Sequence, residues 1–132
     1  MSYGKKSLRT ALSTARGLGS AKGGVQSWLD LRMTALALIP LTIYVLIGFF
    51  NSAIGGGYSG AIYWLQSPLS ATFTILMLLV GLRHGVSGLK EVIEDYIHGE
   101  ATKFSMIFFI KIVAAALAIL GTLSVAKIFF GV

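Results

Sequence analysis

The stretch from Pro68 to His98, PLSATFTILMLLVGLRHGVSGLKEVIEDYIH, decides how the rest of the chain is read. No charge interrupts its first half, from Leu69 to Leu82, after which Arg83 and His84 follow. A helix that stopped at Leu82 would be too short, because crossing a hydrocarbon core of about 30 Å takes about 20 residues. Continued to Tyr96 or His98, the helix has about 30 residues and a length of about 45 Å. Val86, Leu89, Val92 and Ile93 keep a helical apolar period past the charges, so continuation is the expectation. The last third would then be polar, and either covered by protein or projecting beyond the bilayer.

Two further apolar stretches flank this one. The first runs from about Trp28 to Phe50, with Asp30 and Arg32 in its opening turn. The other runs from about Phe104 to Phe130, with Lys111 and Lys127 near its ends. The sequence therefore predicts an all-α membrane protein with three transmembrane helices, at about 28–50, 67–97 and 104–130. Composition agrees: of 132 residues, 55% are hydrophobic and 12% charged, whereas a soluble domain carries about 25% charged residues. So few charges could not cover a core built from so much apolar sequence, which excludes an ordinary water-soluble globule. The chain has no cysteine, which excludes disulfides, thiolate catalysis, iron–sulfur ligation and zinc–thiolate sites on this chain.

The 11 basic residues against 5 acidic ones give a net charge of +6, and their placement explains it. Lys5, Lys6, Arg9, Arg16 and Lys22 precede the first helix and Arg32 opens it, while residues 51–67 contain none. Lys90 and Lys103 flank the second connection, and Lys127 alone lies at the far end. By the positive-inside rule the N-terminus is expected in the cytoplasm and the C-terminus outside. Residues 1–26 form a basic N-terminal segment ahead of an anchor domain over 27–132. In that segment Leu8, Leu12, Ala15 and Leu18 recur at the spacing of a short amphipathic surface helix; a solvated basic tail that sets topology fits equally. Residues 51–67, NSAIGGGYSGAIYWLQS, read as a glycine-rich loop with Tyr58, Tyr63 and Trp64 suited to the interface. Because the positive charge sits where topology needs it, no nucleic-acid partner is expected.

His84 is the candidate ligand. Ionisable side chains at membrane depth usually face protein or a cofactor, and a neutral imidazole can bind haem iron. Gly88, one turn later on the same face, would let a flat porphyrin lie against the backbone. A hydrogen-bonded core histidine is the competing reading. Arg83 has three candidate partners: a haem propionate, an acidic residue or a lipid phosphate. Arg32 suits a propionate or a positive-inside flank, and Lys111 suits snorkelling to the interface. Asp95 and Tyr96 could hydrogen-bond a quinone carbonyl and deliver protons. Alternatively they belong to a solvated helix end, with Lys90 and Glu94 paired at i,i+4.

Residues 17–132 resemble the small hydrophobic membrane-anchor subunit of succinate dehydrogenase (succinate:quinone oxidoreductase, respiratory complex II), the small cytochrome b subunit. The likeness rests on WLDLRMTALALIPL entering the first helix, on RHGVSGLKEVIEDYIH, and on three helices in a chain of this size. The second motif places His84, Gly88 and the Asp95–Tyr96 pair at the family's spacing. The resemblance implies that His84 is an axial ligand of haem b, the second histidine coming from a larger cytochrome b anchor subunit. It implies a propionate contact for Arg32, a hydrogen bond from Tyr96 to ubiquinone, and Asp95 as that tyrosine's neighbour in the site. Arg83 matches no assigned residue. Where relatives often have a histidine near the haem edge, this chain has Gln26. The implied role is that of a subunit not catalytic alone. It would dock a flavoprotein subunit and an iron–sulfur subunit to the lipid bilayer, in the respiratory chain and tricarboxylic acid cycle. The expected location is the bacterial cytoplasmic (inner) membrane, in preference to the mitochondrial one. The alternatives are a haem-free structural anchor, and a small transporter or channel subunit lined by Arg83, His84 and Lys111.

Overall fold

The computed structural model describes residues 23–131, and residues 1–22, including the segment from Leu8 to Leu18, lie outside the described residues. Helix α1 runs Gly23–Leu65, α2 Pro68–Tyr96 and α3 Glu100–Phe130. The stretch from Pro68 is thus helical to Tyr96, passing through Arg83 and His84 without a break. All three helices are long and apolar enough to cross a membrane, and among the described residues there is no strand. The chain is an all-α membrane protein. At 1.5 Å per residue α2 is about 43 Å long and overruns a hydrocarbon core of about 30 Å.

The helix ends follow from local chemistry. Ser67 is extended (φ −70°, ψ 131°) and Pro68 opens α2, where its missing N–H costs nothing and its fixed φ suits a helix. Ile97 is extended and ends α2, its N–H donating to the Ile93 carbonyl at 2.9 Å. Helix α3 starts four residues before the expected Phe104, because apolarity marks the span and not the helix. Its first turn is polar, with Glu100 favourable to the helix dipole and 3.7 Å from Lys103. Gly131, left-handed at φ 70°, closes α3 with its N–H on the Ile128 carbonyl.

The connection expected over 51–67 is where the structure differs. Helix α1 begins at Gly23 and continues well past Phe50, and the backbone leaves helical geometry inside it only at Gly57 (φ 59°, ψ −145°). That conformation is essentially restricted to glycine. A second helical run then folds back on the first. The Trp64 ring lies against Gly48, where a Cβ would come within 2.7 Å of the indole, and Gly60 lies against the Ser52 carbonyl. Tyr44 completes the cluster, 6.2 Å from Trp64 and 4.7 Å from Phe73 between ring centroids. Glycine weakens a helix by about 1 kcal/mol relative to alanine. That is a small cost beside the contacts that the Trp64 ring makes with Gly48 and Tyr44. Pro40 is also carried inside α1.

Helices α1 and α3 each pack along α2 and scarcely on each other. On α2, Gly81, His84, Ser87 and Glu91 turn toward α1, against Leu38, Thr34, Asp30 and Ser27 in antiparallel order. On the other flank, Gly121 of α3 takes the Leu78 side chain against its backbone. The result is a single layer of helices with a small interior: Leu41, Val45, Ala61, Ala71, Ile93 and Val125 are its buried apolar residues.

Candidate functional site

The site grows from the seam between α1 and α2. Residues 27, 30 and 34 recur at three and four along α1, one stripe of the helix, and 84, 87 and 91 do the same along α2. Polar groups on both stripes pair across the seam. Ser27 Oγ donates to Glu91 Oε1 at 3.1 Å. Asp30 accepts from Arg83 through Nε at 2.9 Å and Nη2 at 2.6 Å, and from Ser87 Oγ at 3.2 Å. Thr34 Oγ1 meets His84 Nδ1 at 3.0 Å. Beyond this level the seam turns apolar at Leu38 and Gly81 and then aromatic at Tyr44 and Phe73.

Arg83 therefore takes the acidic option among its three expected partners. Its side chain is 66% exposed and that of Asp30 30%. Two opposite charges in contact present no net charge to their apolar surroundings. Asp30 was not expected as this partner from the sequence, although it is the only acid before Glu91. Thr34 was missed as well; nothing local in the sequence marks it, since its role depends on the register between two helices.

His84 is half-buried. Gly88, one turn on, shares its face of α2, and a Cβ built there would meet nothing within 4 Å. The backbone beside the imidazole is thus open, which is the space a flat prosthetic group needs. Among the described residues, no group of three or more His, Cys, Asp or Glu could hold a metal ion. The arrangement fits a haem that takes one imidazole from this chain and its other axial ligand from elsewhere.

The remaining candidates stand apart. Arg32 is exposed, and its guanidinium carbon lies 4.2 Å from the centroid of the Trp28 ring. At about 100° per residue it points some 200° around α1 from Thr34, away from the seam with His84. Asp95 and Tyr96 are exposed at the end of α2, with Tyr96 about 18 Å along the axis from His84. Neither is enclosed by this chain. Lys90 and Glu94 form the expected i,i+4 pair at 3.5 Å. Lys111 lines an open groove of about 390 Å³ with Asp30, Arg83 and Lys90.

Comparison with known proteins shows the family to which the chain is similar. A family model described as the succinate dehydrogenase/fumarate reductase transmembrane subunit matches residues 6–120. The succinate dehydrogenase hydrophobic membrane anchor subunit of Paracoccus denitrificans is 32% identical over 123 residues, covering 90% of this chain and 95% of that protein. Its counterpart in Rickettsia bellii is 30% identical over 105 residues, covering 79% and 82%. The succinate dehydrogenase membrane anchor subunit of Reclinomonas americana is 30% identical over 98 residues, covering 70% and 79%. No solved structure matches.

Proposed function

Because this chain belongs to the family of succinate dehydrogenase and fumarate reductase transmembrane subunits, we propose that it works at the membrane end of succinate:quinone oxidoreductase. There it ligates haem b jointly with a larger cytochrome b anchor subunit and contributes to a ubiquinone-reduction site. The observation that carries the haem reading is the half-buried His84 beside an open glycine face. Bound haem would supply a one-electron carrier between the iron–sulfur subunit and quinone. With no cysteine, this chain cannot hold an iron–sulfur cluster, so succinate oxidation at a flavin and the cluster relay belong to partner subunits.

The chain's own residues have separate tasks. His84 presents an imidazole at membrane depth, and Gly88 leaves its face open. Asp30 neutralises Arg83, so the seam next to the haem carries no uncompensated charge from this pair. Arg32, free of the seam, is available to a propionate at the face of α1 turned away from α2. Tyr96 and Asp95 wait at the end of α2 for a quinone carbonyl, in a pocket whose other walls come from partner subunits. The pocket lies on the cytoplasmic side if the N-terminus is inside the bacterial cytoplasmic membrane, as the basic flank favours.

The Thr34–His84 hydrogen bond also favours a second reading, a haem-free structural anchor with His84 as a satisfied seam residue. A reduced-minus-oxidised spectrum of the purified complex separates the two. We expect a b-type band that His84→Ala abolishes or strongly reduces. No band in the parent sinks the haem claim, and unchanged haem content in the variant sinks the ligand assignment. For the quinone site, Tyr96→Phe should lower quinone reductase activity at least tenfold, about the loss of one charge-assisted or catalytic hydrogen bond. Succinate oxidation with an artificial acceptor should survive. Parental rates in both assays would make Tyr96 an interfacial anchor.

A further inference from the structure

Thr34 is 9% exposed, on the turn of α1 that faces His84. A threonine hydroxyl has one proton to give and two lone pairs. Here the proton goes to α1's own backbone, since Oγ1 lies 2.7 Å from the Asp30 carbonyl and 3.1 Å from that of Leu31. Toward His84 Nδ1, 3.0 Å away, the hydroxyl oxygen is left to accept. The proton between them is then the imidazole's own. That fixes the Nδ1–H tautomer and leaves the Nε2 lone pair for a ligand, the state in which a neutral imidazole binds a metal.

We propose that Thr34 is the positioning residue of the haem site: it selects the tautomer of His84, holds the ring plane, and tunes the iron through the imidazole. This rests on the reading of His84 as a haem ligand and deepens it. The support extends one step further back. The carbonyl that takes the Thr34 proton belongs to Asp30, whose carboxylate is held by Arg83 and Ser87 on either side of His84 in sequence. The turn of α1 that orients the ring is therefore tied to the turn of α2 that carries it. A ligating histidine that donates its other N–H to an oxygen becomes more basic, and loss of such a partner typically lowers metal affinity about 10–100-fold. A more basic ligand favours oxidised iron, so loss of the bond raises the haem midpoint potential.

The test uses the purified complex with Thr34→Val, which keeps shape without the oxygen, and Thr34→Ser, which keeps the oxygen. Haem content, transfer of haem to apomyoglobin, and the midpoint potential are read. Thr34→Val is expected to release haem about 10–100-fold more readily and to titrate at a higher potential, while Thr34→Ser stays at parental values. A purely structural threonine would move thermal stability alone. Parental haem retention and potential in Thr34→Val overturn the proposal, as does a Thr34→Ser variant that behaves like Thr34→Val. If Thr34→Val does not assemble, Thr34→Cys, with its weakly accepting sulfur, replaces it. A potential above that of Thr34→Ser supports the proposal, and equal potentials overturn it. A parent complex without any b-type band would overturn the haem reading and this inference together, so the two failures are distinguishable.

Discussion

Arg83 and Asp30 meet at a depth where a charge has little water to turn to, and the strength of their pairing follows from that. On a soluble surface such a pair is worth about 0–1 kcal/mol. An arginine or aspartate without a partner in apolar surroundings is costly, so removing one partner strands the other. Arg83→Leu and Asp30→Leu should each lower the unfolding midpoint of the complex in detergent or lipid, and the double variant should lower it by less than the sum of the two shifts. Small, additive shifts would mean that water reaches the pair. The ingredients of this seam were legible in the sequence, because an arginine at position 83 and a carboxylate at position 30 both stand out in apolar surroundings. Their meeting was not. Which residue of one helix faces which of the next depends on how the pair slides and turns, and Thr34, an unremarkable helical threonine, acquires its role only from that register.

At the scale of the element, α2 was the readable helix. Its apolar period persists through Arg83 and His84, and proline opens it. Helix α1 was read short because glycines 55–57 look like a loop, which they would favour in water. The helix instead continues through Gly55 and Gly56, and only Gly57 leaves it. Substitution there has a clear direction. Gly57→Ala must place a Cβ where φ is 59°, at an expected cost of about 1–3 kcal/mol. Gly48→Ala pushes directly on the Trp64 indole. With Trp28→Phe removing the other tryptophan of the chain, Gly48→Ala should shift Trp64 emission, as the indole leaves Gly48 and Phe49. Unchanged emission would show that the returning segment does not pack on α1 in this way.

At the scale of the whole molecule, topology is the open question that charge answers most directly. By the positive-inside rule, six cations at or before the start of the first span, against none over residues 51–67, predict that the aromatic cluster of Tyr44, Trp64 and Phe73 lies toward the outer side. Alkaline phosphatase fused after Leu65 or after Val132 should be active in a bacterial host, and a fusion after His98 inactive. The reverse pattern would turn the molecule over and move Tyr96 to the outer face. Fusions equally active, or equally inactive, at all three points would mean that the helices do not cross as three spans.

The single layer of helices has a further consequence for how such a chain can vary through time. Positions such as Phe108, Ile112, Leu120 and Leu123 are exposed along α3, and where such a face meets hydrocarbon it asks only that its residues be apolar, since hydrocarbon has no shape to match. Exchanging one aliphatic group for another there leaves the packing of α2 untouched. Sequence drift should therefore run freely over lipid-facing positions, while those that meet another subunit stay restrained. A relative matched over 98 residues is only 24% identical to this chain. What selection can grip is narrow: a handful of polar groups along one seam, and the few glycines that let helices touch.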